Sequence, residues 1–146
     1  MKCAETIEME MPATLANNAV RFPTGLLGFE QIKDYVLLIK PEEQPFAWLQ
    51  VQDNSALAFV VLDPFFARPD YQPDIPVLDV EFLGLKKSED ALLLCIVTIH
   101  SAKYATVNLK GPIVINRHTH IGKQVIITNA ADYSVHHPLP VAENVE

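Results

Sequence analysis

The sequence predicts a small, single-domain all-β protein with an antiparallel, β-barrel-like fold and one or two short helical turns. Three observations support this prediction. The length of 146 residues suits one domain, and the hydrophobic content of 49% supports a substantial core. Short apolar or alternating segments follow one another closely, and eleven prolines interrupt any long helix. We expect the domain to span 1–139 and a flexible tail to follow at 140–146.

Eight segments have the composition or the alternation typical of strands. They are TIEMEM (6–11), YVLLIK (35–40), FAWLQVQ (46–52), LAFVVLD (57–63), ALLLCIVTIH (91–100), YATVNL (104–109), PIVIN (112–116) and KQVIIT (123–128). Helical periodicity is scarce, and we expect single helical turns only at 30–35 and 79–85. The proline-rich segment 63–76 is predicted to form one long irregular loop.

The segment TVNLKGPIVIN (106–116) combines strand-forming residues with a break. Its apolar side chains are expected to line one face of the sheet: Val107, Leu109, Ile113 and Ile115. Gly111 and Pro112 indicate a bulge or a corner, because proline donates no hydrogen bond to a strand ladder. We expect Asn108 and Asn116 to bond backbone groups left unpaired at this break. The segment is therefore interpreted as scaffold.

A second informative segment is FPTGLLGFE (22–30). Its glycines, Gly25 and Gly28, suggest a close approach of the backbone or a positive φ angle at each position. Phe22 and Phe29 are expected to anchor this turn in the core. The glycine spacing matches no nucleotide-binding fingerprint.

The net charge is −7, and it is unevenly placed along the chain. Residues 41–90 contain three basic and ten acidic side chains, so this third of the chain accounts for the whole net charge. Nucleic acid is an unexpected ligand, because binding it requires neutralisation of phosphates. The acidic bias is consistent either with solubility alone or with a surface for a basic partner.

The sequence is expected to belong to a cytoplasmic protein. Its two cysteines, Cys3 and Cys95, are far apart and form no CxxC motif, which favours a reduced protein over a disulfide. The first residues lack the apolar region of a signal peptide. No apolar stretch approaches the roughly 20 residues that span a bilayer.

Catalysis and metal binding are the weaker hypotheses. Two pairs of histidines suggest a metal site, although an exposed turn explains the first pair better: His118, His120, His136 and His137. Four carboxylates close in sequence offer an acid–base pair, although turn formation explains them better: Asp53, Asp63, Asp70 and Asp74. We therefore predict no enzymatic activity, no metal and no cofactor.

Several strings, taken in order, resemble the bacterial flagellar assembly factor FliW family. They are FPTGLLGFE, YVLL, PFAWLQ, FVVLDPFFARPDY, TVNLKGPIVIN, GKQVIIT and DYSVHHPL, and together they span about residues 5–139. The residues that match recurrent family positions are Phe22, Gly25, Gly28, Phe29, Leu49, Gln50, Asp63, Pro64, Tyr71, Asn108, Pro112, Asn116 and Gln124. Most of these positions are interpreted as architectural.

The resemblance implies a non-catalytic cytosolic protein that is monomeric when free. It implies binding to CsrA, a basic RNA-binding regulator that represses flagellin translation, with allosteric antagonism rather than occupation of the RNA site. It also implies binding to flagellin, in competition with CsrA. Neither nucleic acid nor a membrane is expected as a direct partner. A dedicated flagellin chaperone is the alternative, and a metal-binding or hydrolytic barrel is a more distant one.

Residues for partner binding are expected in and after the acidic segment 63–76. Acidic side chains would attract a basic regulator, and aromatic side chains would anchor an interface. The candidates are Asp63, Phe65, Phe66, Asp70, Tyr71, Asp74 and Glu81. For the three aromatic residues, an equally good interpretation is that they plug one end of the barrel.

Overall fold

A computed structural model of the chain describes residues 18–54 and 56–139. These residues form nine strands: β1 (Ala19–Arg21), β2 (Asp34–Leu38), β3 (Phe46–Val51), β4 (Ala58–Leu62), β5 (Ala91–Ser101), β6 (Tyr104–Val107), β7 (Ile113–Asn116), β8 (Gly122–Gln124) and β9 (His137–Pro138). They also form two short helices, α1 (Pro64–Ala67) and α2 (Val77–Leu83), and three short 3-10 turns at Pro41–Glu43, Ser88–Asp90 and Ala130–Asp132. The predicted strand at 6–11 and the tail at 140–146 lie outside the described residues.

The sheet branches at its longest strand, β5. One branch has the order β1-β2-β3-β4-β5-β6-β9, and the other continues from β5 to β7 and β8. Residues 91–94 of β5 pair with β7, whereas residues 97–101 pair with β6. All of the strand pairs are antiparallel. One long apolar strand therefore organises both branches.

Two of the three ends of the branched sheet, β1 and β8, approach each other without forming a ladder. A single parallel bridge joins Arg21, at the end of β1, to Ile121, just before β8. The backbone N–H of Arg21 donates to the carbonyl of His120 at 3.0 Å. The predicted all-β antiparallel class is confirmed, and the sheet is barrel-like in shape but is not closed by strand pairing.

A large bulge separates β6 from β7. Residues 108–112 lie between the pairs Val107–Val97 and Ile113–Leu94, so five residues oppose the two residues 95–96 of β5. The Asn108 side chain accepts hydrogen bonds from the backbone N–H groups of residues 110 and 111, at 3.0 and 3.1 Å. The predicted bulge and the predicted role of Asn108 are both confirmed. The bulge lets the chain leave one branch of the sheet and enter the other.

The glycines of the 22–30 turn are required by the backbone. Gly25 has φ +71°, and a Cβ atom there would lie 2.5 Å from the backbone of Glu30. Gly28 has φ +87°, with open space around it. Phe22 is fully buried, as predicted, whereas Phe29 is partly exposed and packs edge-on against Phe59 with ring centroids 5.0 Å apart. Only the first phenylalanine anchors the turn in the deep core.

Several element predictions need correction. No helix forms at 30–35, because β2 begins at Asp34 and buries alternate side chains. Segment 63–76 contains α1, so it is not wholly irregular. Helix α2 begins at Val77, two residues before the predicted turn. Strand β8 ends at Gln124, because the next N–H groups bond carbonyls of the bulge rather than a neighbouring strand.

Candidate partner-binding groove

An apolar groove lies over one face of the β5–β7 pair. Leu93 and Val114 are directly opposed in the register, and Ala91 lies two residues before Leu93, so all three share a face. These buried side chains form the floor of a cavity of about 380 Å³. The walls and the rim come from Phe65, Pro73, Ile75, Val80, Leu85, Lys86, Lys87 and Ser88. A cavity of this size and apolar lining is typical of a binding site.

Helix α2 forms one wall, and side chains from the sheet hold both of its ends. Near its C-terminus, the Asn116 Nδ2 donates to the carbonyl of Leu83 at 2.7 Å. Near its N-terminus, Lys123 forms an ion pair with Asp79, and both side chains are partly buried. Gly84 ends the helix in the left-handed conformation. The position of this wall is therefore set by β7 and β8.

The outer face of α2 is unusually apolar for a surface helix. Val77 and Leu78 are 70% and 78% exposed, and Phe82 is 47% exposed. Val80, on another face of the same helix, lines the groove. The exposed residues thus extend the apolar surface beyond the groove, and a surface of this kind marks interaction sites.

The opposite wall is supported by a buried tyrosine. Tyr71 donates from its hydroxyl to the carbonyl of Leu109 at 2.7 Å, and its ring packs between Phe65 and Tyr133. Desolvation raises the pKa of the Tyr71 hydroxyl well above its ordinary value, so it remains a neutral donor. Phe65 reaches the groove from this support.

The rim of the groove is fixed by a buried carboxylate. Asp90 Oδ2 accepts the backbone N–H groups of Lys86 and Lys87 at 3.0 and 3.1 Å, and Oδ1 accepts from His118 Nε2 at 2.9 Å. The hydrogen bond from His118, followed by that from the Lys86 backbone, holds the pKa of Asp90 below its ordinary value. This carboxylate therefore positions the segment that carries the two lysines.

Two of the predicted partner-binding residues lie below the surface. Asp63 is buried and caps α1, accepting the N–H of Phe65 at 2.9 Å. Tyr71 is buried as described above. Their side chains are therefore not exposed on the described surface, and a role for them in binding stays a prediction. For Tyr71, the structure favours the plugging interpretation.

The other predicted residues are accessible. Phe66 is 45% exposed, and Phe65 lines the groove. Asp70, Asp74 and Glu81 are exposed, and Asp70 pairs with Arg68 at 3.1 Å. Their roles in binding stay predictions.

The predicted histidine pair has separate partners. His118 bonds Asp90, whereas His120 Nδ1 lies 3.0 Å from the carbonyl oxygen of Ala19. Among residues 18–54 and 56–139, no three potential ligand side chains converge on a position for a metal ion. Within the same residues, no helix has the length and apolarity needed to cross a bilayer.

Sequence reasoning missed most of the groove. The predicted binding segment 63–76 supplies Phe65, Pro73 and Ile75. The floor residues Ala91, Leu93 and Val114 were predicted only as strand interior, and Lys86 and Lys87 were not predicted as part of a site. One signal was available. Strand β5 is apolar on both faces between 91 and 95, which indicates that something covers each face.

Known proteins are similar to this chain in sequence and in fold. The family model of the FliW protein matches residues 4–139. The flagellar assembly factor FliW of Natranaerobius thermophilus is 42% identical over 122 residues, covering 82% of this chain and 80% of that protein. The flagellar assembly factor FliW of Thermotoga neapolitana is 40% identical over 120 residues, covering 81% and 80%.

Comparison of the fold with solved structures points to the same family. A crystal structure of the flagellar assembly factor FliW matches with a TM-score of 0.75 and 38% identity, covering 84% of this chain and 85% of that chain. The two chains are thus similar both in sequence and in fold over most of their lengths. The chain therefore belongs to the FliW family of flagellar assembly factors.

Proposed function

We propose that this flagellar assembly factor is a non-catalytic, cytoplasmic binding protein with two competing partners. One is the translational regulator CsrA, which it antagonises allosterically and so relieves repression of flagellin translation. The other is flagellin, which occupies the protein until it is exported. Free protein is monomeric in this proposal, and it contacts no nucleic acid directly.

The observation that carries the proposal is the apolar groove with the exposed apolar face of α2 beside it. Val77, Leu78 and Phe82 expose large apolar areas, as is typical of a surface that a partner covers. Such a surface suits a helical or extended segment of a partner. The acidic residues at 41–90 complement a basic regulator, which favours rapid association.

Competition between the partners has a thermodynamic consequence. If flagellin weakens binding of CsrA, CsrA must weaken binding of flagellin by the same factor. Simultaneous binding of both partners with undiminished affinities would contradict the proposal.

A three-component titration tests the switch. Labelled flagellin leader RNA is first bound to CsrA, the protein is then added, and flagellin is added last. We expect the protein to release the RNA from CsrA, seen as a fall in RNA anisotropy. Flagellin is expected to reverse this release. An unchanged anisotropy on addition of the protein would remove the CsrA role.

A dedicated flagellin chaperone is the second candidate, and the exposed face of α2 favours it. In that case flagellin binds tightly while the RNA complex is unaffected. Hydrogen exchange distinguishes the two, because a chaperone is expected to show protection of 63–83 by flagellin only. Absence of protection in this region would contradict the chaperone role.

A further inference from the structure

The groove carries positive charge in an acidic protein. Lys86 and Lys87 are the charged residues that line it, and both are exposed. Neither ammonium group forms an ion pair with another side chain in the described part of the chain. The remaining basic residue of 41–90, Arg68, is already paired with Asp70. Among the described residues, the rim therefore presents two cations that form no side-chain ion pair, beside an apolar floor.

This placement is built into the fold. Both lysines follow Leu85, which lines the groove, and their backbone N–H groups are held by the buried Asp90 carboxylate. Asp90 is in turn bonded by His118 from the turn after β7. These hydrogen bonds fix the backbone of Lys86 and Lys87 beside the groove, so both lysine side chains extend from a fixed position at its rim.

We propose that the groove binds an acidic amphipathic peptide segment of a partner protein. Apolar side chains of that segment occupy the cavity over Leu93 and Val114, and a neighbouring carboxylate meets Lys86 and Lys87. The charge complementarity selects against a basic segment, because bringing like charges together is unfavourable. This inference rests on the proposed partner-binding role of the groove and specifies the chemistry of its occupant.

The proposal also separates two surfaces by charge. A basic partner is attracted by exposed carboxylates such as Asp70, Asp74 and Glu81, whereas the groove itself repels it. The occupant of the groove is thus expected to differ from the segment through which a basic regulator binds. Helix α2 carries Glu81 on its surface and Val80 in the groove, so it borders both.

The experiment uses two synthetic probes. Each is a fluorescein-labelled helical peptide with leucines at positions i, i+4 and i+7; one has two glutamates at one end, and the other has two lysines there. Affinity is measured by anisotropy at low and at physiological salt. We expect the acidic peptide to bind the full-length protein about tenfold more tightly than the basic one at low salt.

The variant K86E/K87E is expected to reverse this ranking. The matched control is K40E/K103E, which makes the same change of net charge at exposed lysines that do not line the groove, and it is expected to preserve the preference for the acidic peptide. Methyl NMR shifts of Leu85, Leu93 and Val114 are expected to move on binding. Circular dichroism confirms that each variant is folded.

Three results would each overturn the inference: equal affinity for the two peptides, no binding of either, or an unchanged preference in K86E/K87E. Capture of flagellin and release of CsrA are measured separately on the same variants. A protein that switches partners normally but shows no charge preference in the groove keeps the proposed function and loses this inference. A protein that prefers the acidic peptide but never binds CsrA keeps this inference and loses the proposed CsrA role.

Discussion

Asn116 connects three backbone groups that have no partner within a strand or a helix. Its Nδ2 donates to the carbonyl of Leu83, and its Oδ1 accepts the N–H groups of His118 and Thr119 at 2.8 and 3.2 Å. Gln124 acts similarly: its Oε1 accepts the N–H of Leu27, and its Nε2 donates to the carbonyl of Gly111. Since unpaired buried polar groups are costly, these side chains stabilise the irregular segments.

Asp90 gives a prediction at the scale of one residue. Its folded-state pKa lies below the ordinary value of 3.8, because His118 and two backbone N–H groups stabilise the carboxylate. A lowered pKa contributes stability that is complete above the ordinary value and is lost as the pH falls through the folded-state value. We therefore expect Asp90→Asn to lose stability at pH 6 and to show a shallower decline below pH 4 than the wild type.

Urea denaturation at pH 6, 4 and 3 measures this difference. Asp132→Asn, which changes an exposed carboxylate that does not line the groove, is the control and should follow the wild-type curve. Parallel pH dependences for Asp90→Asn and the wild type would show that Asp90 does not contribute in this way.

At the scale of elements, α2 depends on tertiary contacts. It spans seven residues, and its N-cap, Pro76, makes no side-chain hydrogen bond. Isolated helices of this length are unstable in water, so packing and side-chain links must maintain it. The ion pair between Asp79 and Lys123 and the hydrogen bond from Asn116 supply those links. The groove wall therefore depends on side chains from β7 and β8.

Lys123→Met is expected to loosen α2 while keeping an apolar side chain over Phe82. Loss of the ion pair leaves Asp79 without its cation, and we expect a loss of about 1 kcal/mol in the free energy of unfolding. Hydrogen exchange at 77–84 should become several-fold faster than in the wild type. Lys103→Met, at an exposed site, should leave that exchange unchanged, and equal rates for both variants would contradict the role of Lys123.

At the scale of the whole molecule, charge and apolar surface are arranged together. Segment 41–90 has an excess of acidic residues, whereas the charged residues that line the groove are basic. The general negative field increases the rate of encounter with a basic partner, whereas the local lysines determine what fits the groove. These two effects are separable by mutation.

Reversal of three exposed carboxylates tests the long-range effect. We expect D70K/D74K/E81K to lower the association rate constant with CsrA about tenfold at low salt, with a smaller change in the dissociation rate. Stopped-flow measurements at two salt concentrations give both quantities. The control E30K/D34K/D132K carries the same net charge but places the changes outside 41–90. Equal association rates for the two variants would exclude a local acidic surface.

Much of the fold was predictable from sequence because its signals are local. Alternation and β-branching located seven of the strands in the described residues, with boundary shifts of a few residues. The glycines at 25 and 28 and the break at 111–112 also follow from local stereochemistry. The helical turn at 30–35 was predicted wrongly, because tertiary pairing of β2 with β1 and β3 overrides a weak local signal.

The sequence by itself determined the all-β class, the family resemblance and the acidic character of 41–90. Only the tertiary structure placed Phe65, Val80 and Lys86 around Leu93 and Val114, because these residues come from separate segments that β5 and β7 bring together. Likewise, only packing shows that Asp63 and Tyr71 are buried. A groove is made of non-local contacts, and such contacts leave no periodic signal along the chain.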